Sequence, residues 1–277
     1  MAISPNAYYN YLKDSKAQYR KTKEKVKKEI SHIYHDLNGI VGYRKMKVFL
    51  ERRNIYLSNA TIHKYMNKEL KLRSITRRKK PQYKKGKAHK IFPNLLKQNF
   101  VCDKPNMIWC TDFTYLKLSN GLTRYNCSII DLYDRSVVAS LNGKSITADL
   151  AIRTLKKALI ASGCNPSKLT IHSDQGSQFT SLDYISFCLL NGITQSMSRA
   201  GTPYDNAVME RFYNTLKEEL IYQFSFDSDE ELNKAVYEYT YFYYNQIRPH
   251  SYNGHLTPFE KRFSKIKMEQ GVTKKVD

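Results

Sequence analysis

The chain lacks any apolar run long enough to cross a bilayer, which takes about 20 consecutive residues. Its amino terminus, MAISPNAYYN, lacks the charged segment followed by an apolar one that marks a secretory signal. Cysteine is sparse. Five residues, odd in number and scattered, argue against a disulfide framework and fit a reducing cytoplasm. No CxxC pair occurs, and His32 and His35 stand too close together without a cysteine pair to form a zinc finger. Internal repeats are absent. Acidic residues are missing from one end only: residues 1–100 hold 26 Lys and Arg against 6 Asp and Glu, a net +20 of the chain's total +21, whereas residues 101–277 hold 20 against 19. A block this basic calls for a polyanion. Nucleic acid is the first candidate and a membrane surface the second; a merely solubilising surface would mix both signs. The expected partner is DNA, with no membrane partner.

What is present supports a packed core: 41% apolar residues, with 22 Tyr and 12 Phe. Residues 21–71 show helical periodicity. Val26, Ile30, Ile33 and Leu37 share one face of a helix ending at Gly39; Met46, Phe49 and Leu50 face inward from a second; Ser58 caps a third bearing Ile62, Tyr65, Met66 and Leu70. Three short helices, the third exposing Asn59, Thr61, His63, Lys64 and Asn67, suit a helix-turn-helix, the lesser alternative being a small helical bundle with no DNA contact. Next comes RSITRRKKPQYKKGKAHK, where Pro81 and Gly86 deny a long helix. Its dense charge, including Arg77, Arg78, Lys79 and Lys80, suits contact with a phosphate backbone. The boundaries expected are a helical region over 1–72, a basic linker over 73–104, a larger domain over 105–265 and a tail over 266–277.

After Pro105 the texture changes. MIWCTDFTYLKL alternates, with Ile108, Cys110, Asp112, Thr114 and Leu116 on one face, and two further strands follow. Helix and strand then alternate, which predicts an α/β architecture: a mixed sheet with flanking helices. GTPYDNAVMERFYNTLKEEL reads as a helix with a hydroxyl cap at Thr202, Pro203 at its first position, and Met209, Phe212, Leu216 and Leu220 as its buried stripe. At 100° per residue Glu210 lies about 200° from Phe212, and Lys217 returns to within about 20° of Glu210's line.

A solvated helix face would explain Glu210 alone, but two other acids have notable positions. Asp112 sits on a core-facing strand position, where a carboxylate is costly without compensation. Asp174 follows the apolar strand LTIHS and opens the turn DQGSQF, at the carboxyl end of a strand, where open α/β sheets place ligands. Taken singly, Asp174 could cap a turn and Asp112 could pair with a buried base. Together with Glu210 they form a candidate three-carboxylate site. Such acids repel one another unless a divalent cation intervenes. Hard oxygen donors suit Mg²⁺ or Mn²⁺, and two such ions can clamp an in-line phosphoryl displacement. Lys217 would stand beside the site and hold a DNA phosphate.

WCTDFTY, IHSDQGSQFTS and GTPYDNAVMERFYNTLKEEL closely resemble the integrase core of insertion-element transposases, specifically the second-frame protein of the IS3 family. Asp174 and Glu210 are separated by 35 residues, as in the family's Asp-Asp-35-Glu signature. Lys217 stands where the family carries its basic residue, and YYNQIRPHSYNGHLTPFE resembles its closing motif. The resemblance covers nearly the whole chain. It implies an RNase H-like core with Asp112, Asp174 and Glu210 as metal ligands, acting on element terminal repeats and target DNA as a homo-multimer. It also implies nicking with water and joining of the freed 3′ hydroxyl, without a covalent protein–DNA intermediate. His172, Gln175, Gly176, Gln178, Tyr204, Asn206 and Arg211 fall within the motifs and are expected to shape the site or touch DNA. ISPNAYYNYL resembles a segment that family members carry after more upstream helix. An upstream segment supplied by another reading frame, as a fusion or a partner chain, is therefore expected. The competing readings are a metal-dependent nuclease or resolvase on the same fold, and a DNA-binding regulator with a silent catalytic domain.

Overall fold

The computed structural model describes Tyr9 and residues 15–75 and 90–264. The chain divides into two compact units, Met1–Arg77 and Arg78–Asp277. The basic stretch containing Arg77, Arg78, Lys79 and Lys80 lies outside the described residues.

The first unit is helical: α1 (Ser15–Asp36), α2 (Tyr43–Glu51) and α3 (Asn59–His63), the last running on as a π-helical segment, Lys64–Glu69. The turn after α1 needs left-handed backbone at Asn38 (φ 50°) and Gly39 (φ 75°), and a Cβ at Gly39 would crowd the Tyr34 ring at 3.0–3.1 Å. Val26, Ile30, Ile33, Met46, Leu50, Ile62, Tyr65 and Met66 form one buried cluster, the positions the helical periodicity selects, with Phe49 and Leu37 packed against its margin. Ser58 accepts a hydrogen bond from the Thr61 amide at 3.1 Å, which satisfies one of the free donors at the start of α3. Ser58→Ala should therefore cost about 1 kcal/mol. The check is faster amide exchange across α3 in the full chain, with exchange in the second unit unchanged.

The second unit holds a five-stranded sheet in the order β3-β2-β1-β4-β5. β1 (Ile108–Lys117), β2 (Thr123–Asp131) and β3 (Val137–Gly143) form an antiparallel meander; β4 (Thr170–Ser173) and β5 (Thr194–Met197) run parallel to β1. Helices α4 (Ala148–Ser162) and α5 (Leu182–Leu190) separate the later strands; α6 (Ala207–Leu216) continues as π-helical Lys217–Ile221, and α7 (Asp229–Tyr237) as π-helical Glu238–Ile247. The alternation of β1 explains the layering. Cys110 and Leu116 join Met209, Phe212, Leu216, Leu232 and Val236 in one core, while Trp109 and Phe113 join Leu150, Leu155, Ile171 and Tyr184 in the other. This is the mixed, RNase H-like α/β architecture expected.

Two details differ from expectation. Thr202 makes no capping hydrogen bond, because Pro203–Asn206 form a 3₁₀ turn and α6 proper starts at Ala207. The turn is held instead by Asp205, which is fully buried and accepts hydrogen bonds from the Arg199 amide and guanidinium and from Gln98. All five cysteines are free thiols. Among the described residues no helix is long and apolar enough to cross a membrane.

Candidate active site

Asp112 occupies the middle of β1, on the face turned toward α6 and α7. The parallel pairing of β1 with β4 sets Cys110 beside His172. Asp174 follows directly after the end of β4, the strand that pairs with β1, and its charge acts on Asp112. Glu210 projects from the first turn of α6. One turn later Tyr213 donates its hydroxyl to the Asp112 carbonyl at 2.5 Å and accepts the Ser128 amide at 2.9 Å. A further turn brings Lys217 over the Tyr115 ring of β1, 4.1 Å from its centroid. The Glu210–Tyr213–Lys217 side of α6 therefore faces β1.

The electrostatics follow from this placement. Burial, then the charge of Asp174 and, more weakly, that of Glu210, push the Asp112 carboxyl well above the usual aspartate range; the Phe113 amide and Lys217 oppose the shift. Burial raises Asp174 against the stabilising Gly176 amide, and burial raises Glu210. Lys217 is 8% exposed, and burial lowers it to about 8 against the pull of Asp112. None of the three acids is paired with an arginine among the described residues.

The acids are not gathered into a closed cluster: among the described residues no three His, Cys, Asp or Glu side chains form a ready metal site. The donor chemistry nevertheless fits a hard divalent cation. Asp112 Oδ1 is taken by the Phe113 amide at 2.7 Å and Asp174 Oδ1 by the Gly176 amide at 2.9 Å, which leaves one oxygen of each carboxylate without a hydrogen-bond partner. Asp112, within electrostatic reach of both Asp174 and Glu210, needs positive charge nearby to stay ionised together with them.

Comparison with known proteins decides the family. An integrase core domain model matches residues 103–203 and a second integrase core domain model matches residues 191–258. The 31 kDa protein of insertion element IS600 from Shigella sonnei is 32% identical over 257 residues, covering 92% of this chain and 93% of that protein. The transposase of insertion sequence element IS904 from Lactococcus lactis is 32% identical over 253 residues, covering 87% and 98%. The transposase InsF of IS3A from Escherichia coli is 36% identical over 168 residues, covering 61% and 58%. The chain belongs to the IS3-family insertion-element transposases with an integrase core. Among solved structures, the HTLV-2 integrase catalytic core domain in complex with magnesium superposes with a TM-score of 0.45 at 22% identity, over 57% of this chain and 97% of that one.

Several residues of this transposase expected to shape the site or touch DNA are buried. His172 is fully buried: Nδ1 meets Ser196 Oγ at 2.8 Å, while Nε2 meets Ser198 Oγ at 3.1 Å and the Asp205 carbonyl at 2.9 Å. It ties β4 to β5 and to the turn before α6, and cannot reach a nucleic acid from there. Asn206 is 4% exposed and donates to the Thr111 carbonyl at 3.4 Å. Lys217, shielded by Tyr115, is likewise not at the surface to hold a phosphate. Gln175 donates to the Ser198 carbonyl at 3.0 Å, and the half-buried Gln178 lays its amide over Gly176, where a Cβ would come within 2.2 Å of Nε2. Tyr204, 73% exposed, and Arg211, which follows Glu210 in the sequence and is also exposed, remain open to solvent. Sequence reasoning missed Tyr213, Asp205 and Arg199. The signal for Tyr213 was a tyrosine adjoining the buried stripe one turn from Glu210; nothing local marks where its hydroxyl ends.

Proposed function

We propose that this transposase nicks its element's ends with water and joins the freed 3′ hydroxyl to target DNA by metal-dependent phosphoryl transfer, with Asp112, Asp174 and Glu210 holding two Mg²⁺ or Mn²⁺ ions. The observation carrying this reading is that Asp112 lies in the field of both other acids while its own burial already disfavours charge. Bound divalent ions would supply charge neutralisation, activation of the attacking oxygen and stabilisation of the leaving one. The chain's own residues do the rest. Asp112 and Asp174 present free oxygens from adjacent, rigid sheet positions, and Glu210 reaches them from the start of α6. Lys217 offsets part of the carboxylate charge from beneath. Exposed Tyr204 and Arg211 would line the DNA path beside Glu210, while the basic stretch from Arg77 to Lys80 would contact phosphates. The helical unit would read the terminal repeats. Holding two ends at once calls for a multimer on DNA.

The test is strand transfer by the full chain on pre-cut terminal repeats, taken from the DNA flanking its reading frame, with Mg²⁺. Joined products that disappear with EDTA are expected. Nicking without joining would favour a nuclease, and binding without either reaction a silent regulator.

A further inference from the structure

The contacts between α6 and the sheet are mostly apolar. Met209, Phe212 and Leu216 pack into the core shared with Cys110 and Leu116. Apolar packing is non-directional, so it fixes the helix against the sheet less sharply than a hydrogen bond does. Tyr213 is different. Its ring is buried at 5% exposure, and its hydroxyl accepts the Ser128 amide at 2.9 Å while donating to the Asp112 carbonyl at 2.5 Å. Asp112 and Ser128 are direct partners across β1 and β2. One phenol oxygen is therefore bonded to both members of the cross-strand pair that carries a candidate ligand. The same side chain is rooted on the helix one turn after Glu210.

We propose that Tyr213 is a positioning residue: its hydroxyl fixes the α6 backbone that carries Glu210 against the β1 backbone that carries Asp112, so that the two side chains can close on a divalent ion. This rests on the reading of Asp112, Asp174 and Glu210 as metal ligands. The demand for such a device is physical. Mg²⁺ accepts little departure from octahedral geometry at about 2.1 Å. Of the presumptive ligands, Asp112 and Asp174 sit on one sheet, whereas Glu210 arrives on a separate helix. The α6–β1 distance is the coordinate most in need of a fixed contact, and Tyr213 makes it at the Asp112 backbone itself.

The experiment compares full-length wild type, Tyr213→Phe, Leu216→Ala and Asp112→Asn. Leu216→Ala loosens the same helix without touching the hydroxyl. Each is measured for melting temperature, DNA affinity, Mn²⁺ binding by calorimetry and strand transfer against Mg²⁺ concentration. For Tyr213→Phe we expect unchanged DNA affinity, Mn²⁺ affinity reduced about 10-fold to 100-fold and a higher Mg²⁺ requirement. Leu216→Ala should lose stability yet keep its Mn²⁺ affinity. Wild-type Mn²⁺ binding by Tyr213→Phe, or equal losses in Tyr213→Phe and Leu216→Ala, would overturn the proposal. If Asp112→Asn also binds Mn²⁺ as wild type does, the metal-site reading itself has failed; if only Asp112→Asn loses it, Tyr213 alone has been misassigned.

Discussion

Asp112→Asn should reduce strand transfer by about 1000-fold or more, since a lost ligand removes several kcal/mol of charge stabilisation at tenfold per 1.36 kcal/mol. Binding to DNA should be unaffected, because the substitution leaves in place every residue assigned to DNA contact: the helical unit, the basic stretch, Tyr204 and Arg211. A second effect separates a metal ligand from a scaffold residue. The Asp112 carboxyl is held above the ordinary range by burial and by Asp174 and Glu210. Its ionised form therefore works against the folded state when no divalent ion is bound. That penalty is absent below the unfolded-state pKa of about 4, grows as pH rises above it and levels off once pH passes the raised folded value. Asparagine carries no charge at any of these pH values. In EDTA the variant should melt above wild type, with the gap widening from pH 4 toward neutrality. Adding Mg²⁺ should raise the melting temperature of wild type and leave that of the variant in place.

Glu210 supplies the contrast. It is exposed, so Glu210→Gln should abolish strand transfer with little gain in stability. If Asp112→Asn instead melted lower and released DNA, Asp112 would belong to the scaffold and the three-acid site would not stand.

Much of this was legible in the residues because it depends on local periodicity. The alternation of β1 put Asp112 on the α6 face, and the helical repeat put Met209, Phe212, Leu216 and Leu220 inward. Ser58 caps as its position predicts. What stayed hidden depends on which neighbour covers a given side chain. Helical geometry places Lys217 on Glu210's line, yet only the fold sets Tyr115 over it. His172 and Asn206 sit in motifs that suggest DNA contact, but the crossing of β4, β5 and the turn before α6 encloses them. Thr202 looked like a cap, and the buried Asp205–Arg199 pair organises that turn instead. Tyr213 is the sharpest case, since the meaning of its hydroxyl depends on the β1–β2 register rather than on its own helix.

Arg248→Ala should produce the largest loss of stability in the second unit. Arg248 closes the long helix that follows α7 and is 9% exposed, and Glu219, just past α6, is 8% exposed. Their contact is a fork: Nε lies 2.9 Å from Oε2 and Nη2 lies 3.0 Å from Oε1, while Tyr239 donates to Oε2 at 2.8 Å. Truncating the arginine leaves the Glu219 carboxylate buried without its counter-charge, a loss of about 3–5 kcal/mol. At roughly 2–4 °C per kcal/mol for a unit of this size, the melting temperature should fall by about 10 °C. The double variant Arg248→Met with Glu219→Leu replaces both charges with apolar groups and should recover most of that stability, because breaking a buried pair costs far more than replacing it. Strand transfer separates the two roles the pair could have. Since Glu219 lies two residues beyond Lys217 on the continuation of the Glu210 helix, a pair that only stabilises the unit leaves the double variant active at 25 °C. A double variant that is folded but inactive would show instead that the ion pair aligns the helix carrying Glu210.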